Sequence, residues 1–125
     1  MRFLIIDNSI AERNLLSFLL KKMGHFVEEK ETAKGLVKLI ATGQYDSIFL
    51  DIAIPDPDGY KFLRTLRANR VTAKQHVIIY SRKKSSLEIN YGLNIAKAND
   101  FLLKPVTPKS LIQAIEKIST PCFAA

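Results

Sequence analysis

The sequence predicts an α/β fold, a doubly wound five-stranded parallel sheet. Two observations carry that expectation. Five short apolar runs recur along the 125 residues, and a helical pattern fills the gap after each. The runs are near-continuous rather than alternating, as parallel strands buried on both faces require. Five strand–helix alternations imply layered α/β architecture, and right-handed crossovers leave few topologies for it.

The elements follow in order. Phe3-Leu4-Ile5-Ile6 is the first strand and ends at Asp7. Ser9-Ile10-Ala11-Glu12 reads as a capping box, hydroxyl and carboxylate each satisfying an orphan amide. Behind it, Leu15, Leu16, Leu19, Leu20 and Met23 form an apolar stripe that Gly24 stops. His25-Phe26-Val27 is a weak second strand. Leu36, Val37, Leu39 and Ile40 mark a helix ended by Gly43. Ser47-Ile48-Phe49-Leu50 is the third strand, ending at Asp51, and Asp58 caps a helix that carries Phe62, Leu63 and Leu66 inward. Val77-Ile78-Ile79-Tyr80 ends at Ser81. Ser85-Ser86-Leu87-Glu88 is a second capping box opening a short helix. Asp100-Phe101-Leu102-Leu103 ends at Lys104, and Thr107-Pro108 opens the last helix with a cap and a first-turn proline.

Length and composition suit one globular domain over 1–125, with 47% hydrophobic and 25% charged residues. No repeat, linker or low-complexity tract interrupts it, and no further domain is expected after the fifth helix. Cys122 has no partner for an internal disulfide, which points to a reducing, cytoplasmic setting. No apolar run approaches the roughly 20 residues of a membrane helix, and Asp7 cuts the first run too short for a signal peptide. The net charge of +7 is uneven. Residues 1–60 carry 7 Lys or Arg against 9 Asp or Glu, and residues 61–125 carry 12 against 3. The basic half suits an acidic partner or is a solvated face. Lys61, Arg64, Arg67 and Arg70 recur every three residues and read as such a solvated stripe. No nucleic-acid reader motif is present, which argues against direct nucleic-acid binding. Tyr80, Tyr91 and Phe101 read as packing residues. His25 and His76 stand apart without acidic or Cys company, and Asp56 and Asp58 lack the spacing of a calcium loop. Asp7-Asn8-Ser9 is not the Gly-rich first turn of a dinucleotide or flavin site.

Sites in open α/β sheets form outside the carboxyl ends of the strands. Asp7, Asp51, Ser81 and Lys104 each follow or end a different apolar run, so two acids, a hydroxyl and an amine are aimed at one edge. Converging carboxylates repel unless a cation intervenes, and Mg²⁺ accepts one or two carboxylates plus phosphate oxygens. A carboxylate, a hard cation, an ammonium and a hydroxyl together suit a phosphoryl group, with the carboxylate able to serve as nucleophile.

Over nearly its whole length the sequence resembles the response-regulator receiver family of two-component signalling. Phe3-Leu4-Ile5-Ile6-Asp7-Asn8 matches the first strand and acidic pair. The stretch from Phe49 through Asp51 to Pro55 and Gly59 matches the phospho-acceptor segment, Val77-Ile78-Ile79-Tyr80-Ser81 the strand ending in Ser or Thr, and Asp100-Phe101-Leu102-Leu103-Lys104-Pro105 the Lys-Pro strand. The resemblance implies a flavodoxin-like (βα)5 fold of strand order 2-1-3-4-5, with a cis Lys104-Pro105 bond. It implies that Asp51 takes a phosphoryl group from a histidine kinase or phosphotransfer protein. Phosphoryl acceptance and loss would be self-catalysed, without a classical enzyme activity. Asp7, Asn8, Asp51 and the Ala53 carbonyl would hold Mg²⁺. Lys104 would pair with a phosphoryl oxygen, and Ser81 and Phe101 would form the switch. A downstream protein, or a fused output domain, would read the face made by helix 4, strand 5 and helix 5. Arg82, Lys83, Lys84, Lys97, Lys109 and Lys117 fall in or beside that face.

Three departures from the family pattern stand out, at Asn8, Arg82 and Lys97, and two further positions bear on the phosphoryl. Asn8 replaces a second acid, which predicts weaker Mg²⁺ binding and leaves room for the alternative, a degenerate pseudo-receiver acting as a phosphorylation-independent interaction module. Arg82 follows Ser81 where a small residue is usual, and either shields or pairs with the phosphoryl or reaches into solvent. Lys83 and Ala53 stand two residues past the key hydroxyl and acid, where they would tune phosphoryl lifetime. Lys97 replaces a common glycine, a modest loop change.

Overall fold

The computed structural model describes residues 1–82 and 86–119, with the backbone alone for Ser86 and Ser119. Five strands, β1 (Arg2–Ile6), β2 (Phe26–Lys30), β3 (Ser47–Asp51), β4 (Val77–Ser81) and β5 (Asp100–Leu103), pair in parallel in the order β2-β1-β3-β4-β5. The helices are α1 (Ile10–Lys22), α2 (Val37–Ile40), α3 (Gly59–Ala68), α4 (Ser86–Asn90) and α5 (Pro108–Ser119). The expected fold class and strand order are both present.

Alternate residues of the central strands feed two cores, as the pleat dictates. Phe3, Ile5, Phe49, Ile78 and Tyr80 pack with Leu16 and Leu20 of α1 and Leu111 of α5. Leu4, Ile6, Ile48, Leu50 and Ile79 pack with Ile40 of α2 and with Phe62, Leu63 and Leu66 of α3. Every residue of β3 and β4 is buried, while the edge strands β2 and β5 are mostly half-exposed.

The structure corrects several local expectations. The second strand runs from Phe26 to Lys30, three residues beyond Val27, because Glu28, Glu29 and Lys30 pair with β1 on a half-exposed edge. The second helix is a single turn, closed by Gly43 at φ 74°. The fourth helix passes into a π-helical turn over Tyr91–Ile95, with the Ala96 amide reaching back to the Tyr91 carbonyl. The expected box from Ser85 to Glu88 lies partly outside the described residues, as do Lys83, Lys84 and Cys122. Lys97 is more than a loop change, for it holds φ 66° where a side chain is strained.

Gly59 has a steric reason to be glycine. A Cβ there would lie 2.4 Å from the Ile52 Cα and 2.8 Å from the Asp51 carbonyl oxygen. That close approach seats the start of α3, capped by the Asp58 carboxylate accepting from the Lys61 amide at 2.9 Å, directly behind the end of β3. The Asp56–Pro57 and Lys104–Pro105 bonds are both cis.

Candidate functional site

The parallel strands bring four residues of the sequence pattern to one rim. Asp51 and Ser81 end β3 and β4, and Asp7 and Lys104 follow β1 and β5. Asp7, Asp51 and Ser81 are buried, and the Lys104 side chain is 4% exposed. The Lys104 ammonium is the hub. It lies 3.1 Å from Asp7 Oδ2 and 3.3 Å from Asp51 Oδ2, and it pairs with Glu12 Oε2. It also sits 4.4 Å from the centroid of the Tyr80 ring.

Asp7 is held on both oxygens. Its Oδ1 accepts the Ser9 amide at 2.9 Å, and Oδ2 accepts the Tyr80 hydroxyl at 2.5 Å besides the lysine. Burial works to raise the Asp7 pKa, but the Tyr80 and Ser9 hydrogen bonds and the Lys104 charge outweigh it, so the group titrates below its usual range. Asp51 goes the other way. Burial raises it, neighbouring Asp7 adds to the rise, and neither the Ala53 amide on Oδ1 at 3.1 Å nor Lys104 restores it. For Lys104, burial is outweighed by Glu12, Asp51 and Asp7, and its pKa rises. The Tyr80 hydroxyl is pushed strongly upward by burial and the Asp7 carboxylate, and stays a donor.

A cleft of about 250 Å³ opens over Asp51, lined by Glu12, Ala53, Ser81, Arg82 and Lys104. A cavity of about 230 Å³ lies beside it, with Glu12, Arg82 and Lys104 lining both. Asn8 is exposed next to buried Asp7, and Ala53 is exposed above Asp51. Phe101, on β5, is half-buried. A Cβ on Gly92 of the π turn would come within 3.4 Å of its ring and 3.0 Å of Ile79 Cδ1, so glycine leaves the ring its seat.

Sequence reasoning missed two members of the site. The sequence places Glu12 in a reciprocal cap, and only half of that cap forms. The Ser9 hydroxyl accepts from the Glu12 amide at 3.4 Å, while the Glu12 carboxylate turns to Lys104 and Arg82. The available signal was position, since α1 starts at the carboxyl end of β1 and its first turn borders the rim. Tyr80 packs, as expected, but its hydroxyl also reaches Asp7. Arg82 pairs with Glu12 and remains 75% exposed.

The residues fit a hard divalent cation by donor chemistry. Asp7 and Asp51 are neighbouring buried carboxylates, Asp7 raises the cost of charging Asp51, and a cation relieves it, while the Asn8 amide and Ala53 carbonyl offer further oxygens. Among the described residues no group of three His, Cys, Asp or Glu side chains forms a metal cage. Mg²⁺ does not need one, because it keeps waters.

Comparison with known proteins gives a consistent result. A family model described as the response regulator receiver domain matches residues 3–116. The protein PilH of Pseudomonas aeruginosa is 31% identical over 117 residues, spanning 94% of this chain and 96% of PilH. The transcriptional regulatory protein LytR of Staphylococcus aureus is 31% identical over 121 residues, covering 94% of this chain and 47% of LytR. The chain thus spans about half the length of LytR. A solved CheY-like receiver domain protein from Methanospirillum hungatei superposes with a TM-score of 0.79 at 28% identity, covering 94% of this chain and 93% of that one. No helix of the described residues is long and apolar enough to cross a membrane.

Proposed function

The chain belongs to the response regulator receiver domain family, and from that membership we propose that it accepts a phosphoryl group on Asp51 from a phosphohistidine of a kinase or phosphotransfer protein. Receivers of this family are signalling modules of two-component systems rather than classical enzymes. The observation that carries the reading is Lys104, whose ammonium lies 3.3 Å from the Asp51 carboxylate at the foot of a cleft also lined by Ser81.

In the transfer, an Asp51 Oδ oxygen attacks phosphorus in line, the P–O bond forms and the P–N bond breaks. The donor imidazole leaves with the electron pair and takes a proton from solvent. Lys104 screens one phosphoryl oxygen, and the Ser81 hydroxyl donates to another. Mg²⁺, held by Asp7 and Asp51 with the Asn8 amide and the Ala53 carbonyl, would screen the remaining charge. Ser81 moving toward the phosphoryl biases a pre-existing equilibrium in which the Phe101 ring changes position beside Gly92. The readout face is α4, β5 and α5, read in a cytoplasmic setting by a downstream protein or a fused output domain.

A second reading is favoured by Asn8, which offers a neutral oxygen where an acid is usual. In it the same fold works as a phosphorylation-independent interaction module. One experiment separates the two. Incubation with acetyl phosphate and Mg²⁺ adds the mass of one phosphoryl group to the wild type and none to Asp51→Asn. An unchanged mass in both, at saturating donor, rejects phosphoryl acceptance and leaves the interaction module.

A further inference from the structure

The proposed transfer gives work to Asp51, Ser81 and Lys104 and to the oxygens around Asp7, and it leaves Glu12 without a task. Yet Glu12 is well engaged. From the first turn of α1 its side chain, 17% exposed, gives Oε1 to the Arg82 guanidinium and Oε2 to the Lys104 ammonium. Lys104 does not need it for neutralisation, because two other carboxylates already lie within 3.3 Å. Both cations line the cleft over Asp51, and Glu12 lines it with them. A carboxylate bridging two cations in the lining of an anion-receiving cleft occupies the role that a phosphoryl oxygen would take.

We propose that Glu12 is a built-in competitor for the phosphoryl group, holding Lys104 and Arg82 in the resting protein and surrendering them when Asp51 is phosphorylated. The inference rests on Asp51 as acceptor. A phosphoryl group carries close to two charges against one on the carboxylate, so at equal distance it attracts each cation about twice as strongly. The exchange therefore runs forward only once a dianion is present. The Lys104 arm does most of the holding, because it is buried, whereas the Arg82 arm is exposed and screened. Surrender frees the Glu12 side chain, so the first turn of α1 registers phosphorylation alongside Ser81 and Phe101.

The test is a titration of the full chain with beryllofluoride and Mg²⁺, followed by the Ala53 amide resonance in wild type, Glu12→Gln and Arg82→Ala. Glu12→Gln keeps the size of the side chain and removes its charge. Its half-saturating concentration should fall about 3- to 10-fold, and that of Arg82→Ala should change less than about 3-fold. In the wild type, hydrogen exchange at the Arg13 amide should quicken on saturation. Equal half-saturation in wild type and Glu12→Gln, or weaker binding in the variant, overturns the inference. Inorganic phosphate serves as a second probe that needs no acyl phosphate, and Glu12→Gln should bind it more tightly than the wild type. That gain, in a wild type that takes no phosphoryl group from acetyl phosphate, keeps the competitor and rejects Asp51 as acceptor. Phosphoryl uptake by the wild type with no gain in the variant does the reverse.

Discussion

At the amino ends of β4 and β5 the Arg67 guanidinium is surrounded by neutral acceptors. It donates to the carbonyls of Lys97, Ala73 and Gln75 at 2.8 to 3.2 Å and to Asn99 Oδ1 at 3.0 Å. At the carboxyl rim the Lys104 ammonium faces three carboxylates. The Lys104 side chain is buried and Arg67 is half-buried, and their surroundings differ in charge. Carbonyls satisfy a half-buried cation without repelling one another, so the Arg67 network ties the end of α3 to two loops. Three carboxylates around one amine leave negative charge in excess, an arrangement that a globular core avoids unless a ligand is to share it. The amino rim holds the fold together, and the carboxyl rim is kept ready for exchange.

The largest expected effect tests the amino rim. Arg67→Met removes four hydrogen bonds, two of them to the half-buried Ala73 and Gln75 carbonyls, and should destabilise the protein by about 1–3 kcal/mol, read as a lower urea midpoint. A loss within experimental error would make Arg67 part of an ordinary solvated face.

The next tests the opposite sign at the other rim. Burial and Asp7 hold the Asp51 carboxyl above its usual 3.8, so the folded state disfavours its charged form. An acid with a raised folded pKa costs stability as pH rises past the unfolded value, and that cost is complete once pH exceeds the folded pKa. Asp51→Asn should therefore raise stability by about 1 kcal/mol while ending phosphoryl acceptance. A less stable Asp51→Asn would mean that the carboxyl rim, too, is built for stability.

The two rims also differ in how much of them could be read in advance. The strand ends were legible, because apolar runs stop where the sheet stops, and so Asp7, Asp51, Ser81 and Lys104 were found together. Asp58 as a cap was equally local. Glu12 and Arg67 were not legible for a shared reason. Each has a sound local explanation, a capping box for Glu12 and an i, i+3 basic stripe for Arg67, and tertiary placement overrides both. Spacing along a helix gives the face of a side chain but not which loop carbonyls or strand ends lie opposite it. The three consecutive charges of β2, Glu28, Glu29 and Lys30, masked an edge strand in the same way.

A smaller effect sharpens the role of the amino rim. Lys97 keeps φ 66° while its carbonyl accepts from Arg67 Nε at 2.9 Å. Lys97→Gly should relieve the left-handed strain and raise stability by about 0.5–1 kcal/mol, seen in the urea midpoint. In an Arg67→Met background the gain should shrink, because the hydrogen bond that holds the loop in that conformation is gone.

The smallest effect is a pH dependence at the same rim. His76 Nδ1 lies 2.8 Å from the Ser47 hydroxyl, at the amino ends of β3 and β4. Burial lowers its pKa below 6.5, Arg67 lowers it further, and Asp100 only partly opposes them. A base with a depressed folded pKa is neutral when folded and binds a proton on unfolding below pH 6.5. The unfolded chain then holds more protons, so stability falls as pH drops below that value and levels off beneath the folded pKa. His76 is partly accessible, so the slope should stay well under the roughly 1.4 kcal/mol per pH unit of one whole proton. His25, also depressed by burial, contributes in the same direction. Comparing urea midpoints near pH 7.5 and pH 5.5 separates them, because His76→Gln should lose less on acidification than the wild type, and parallel losses would place the proton uptake elsewhere.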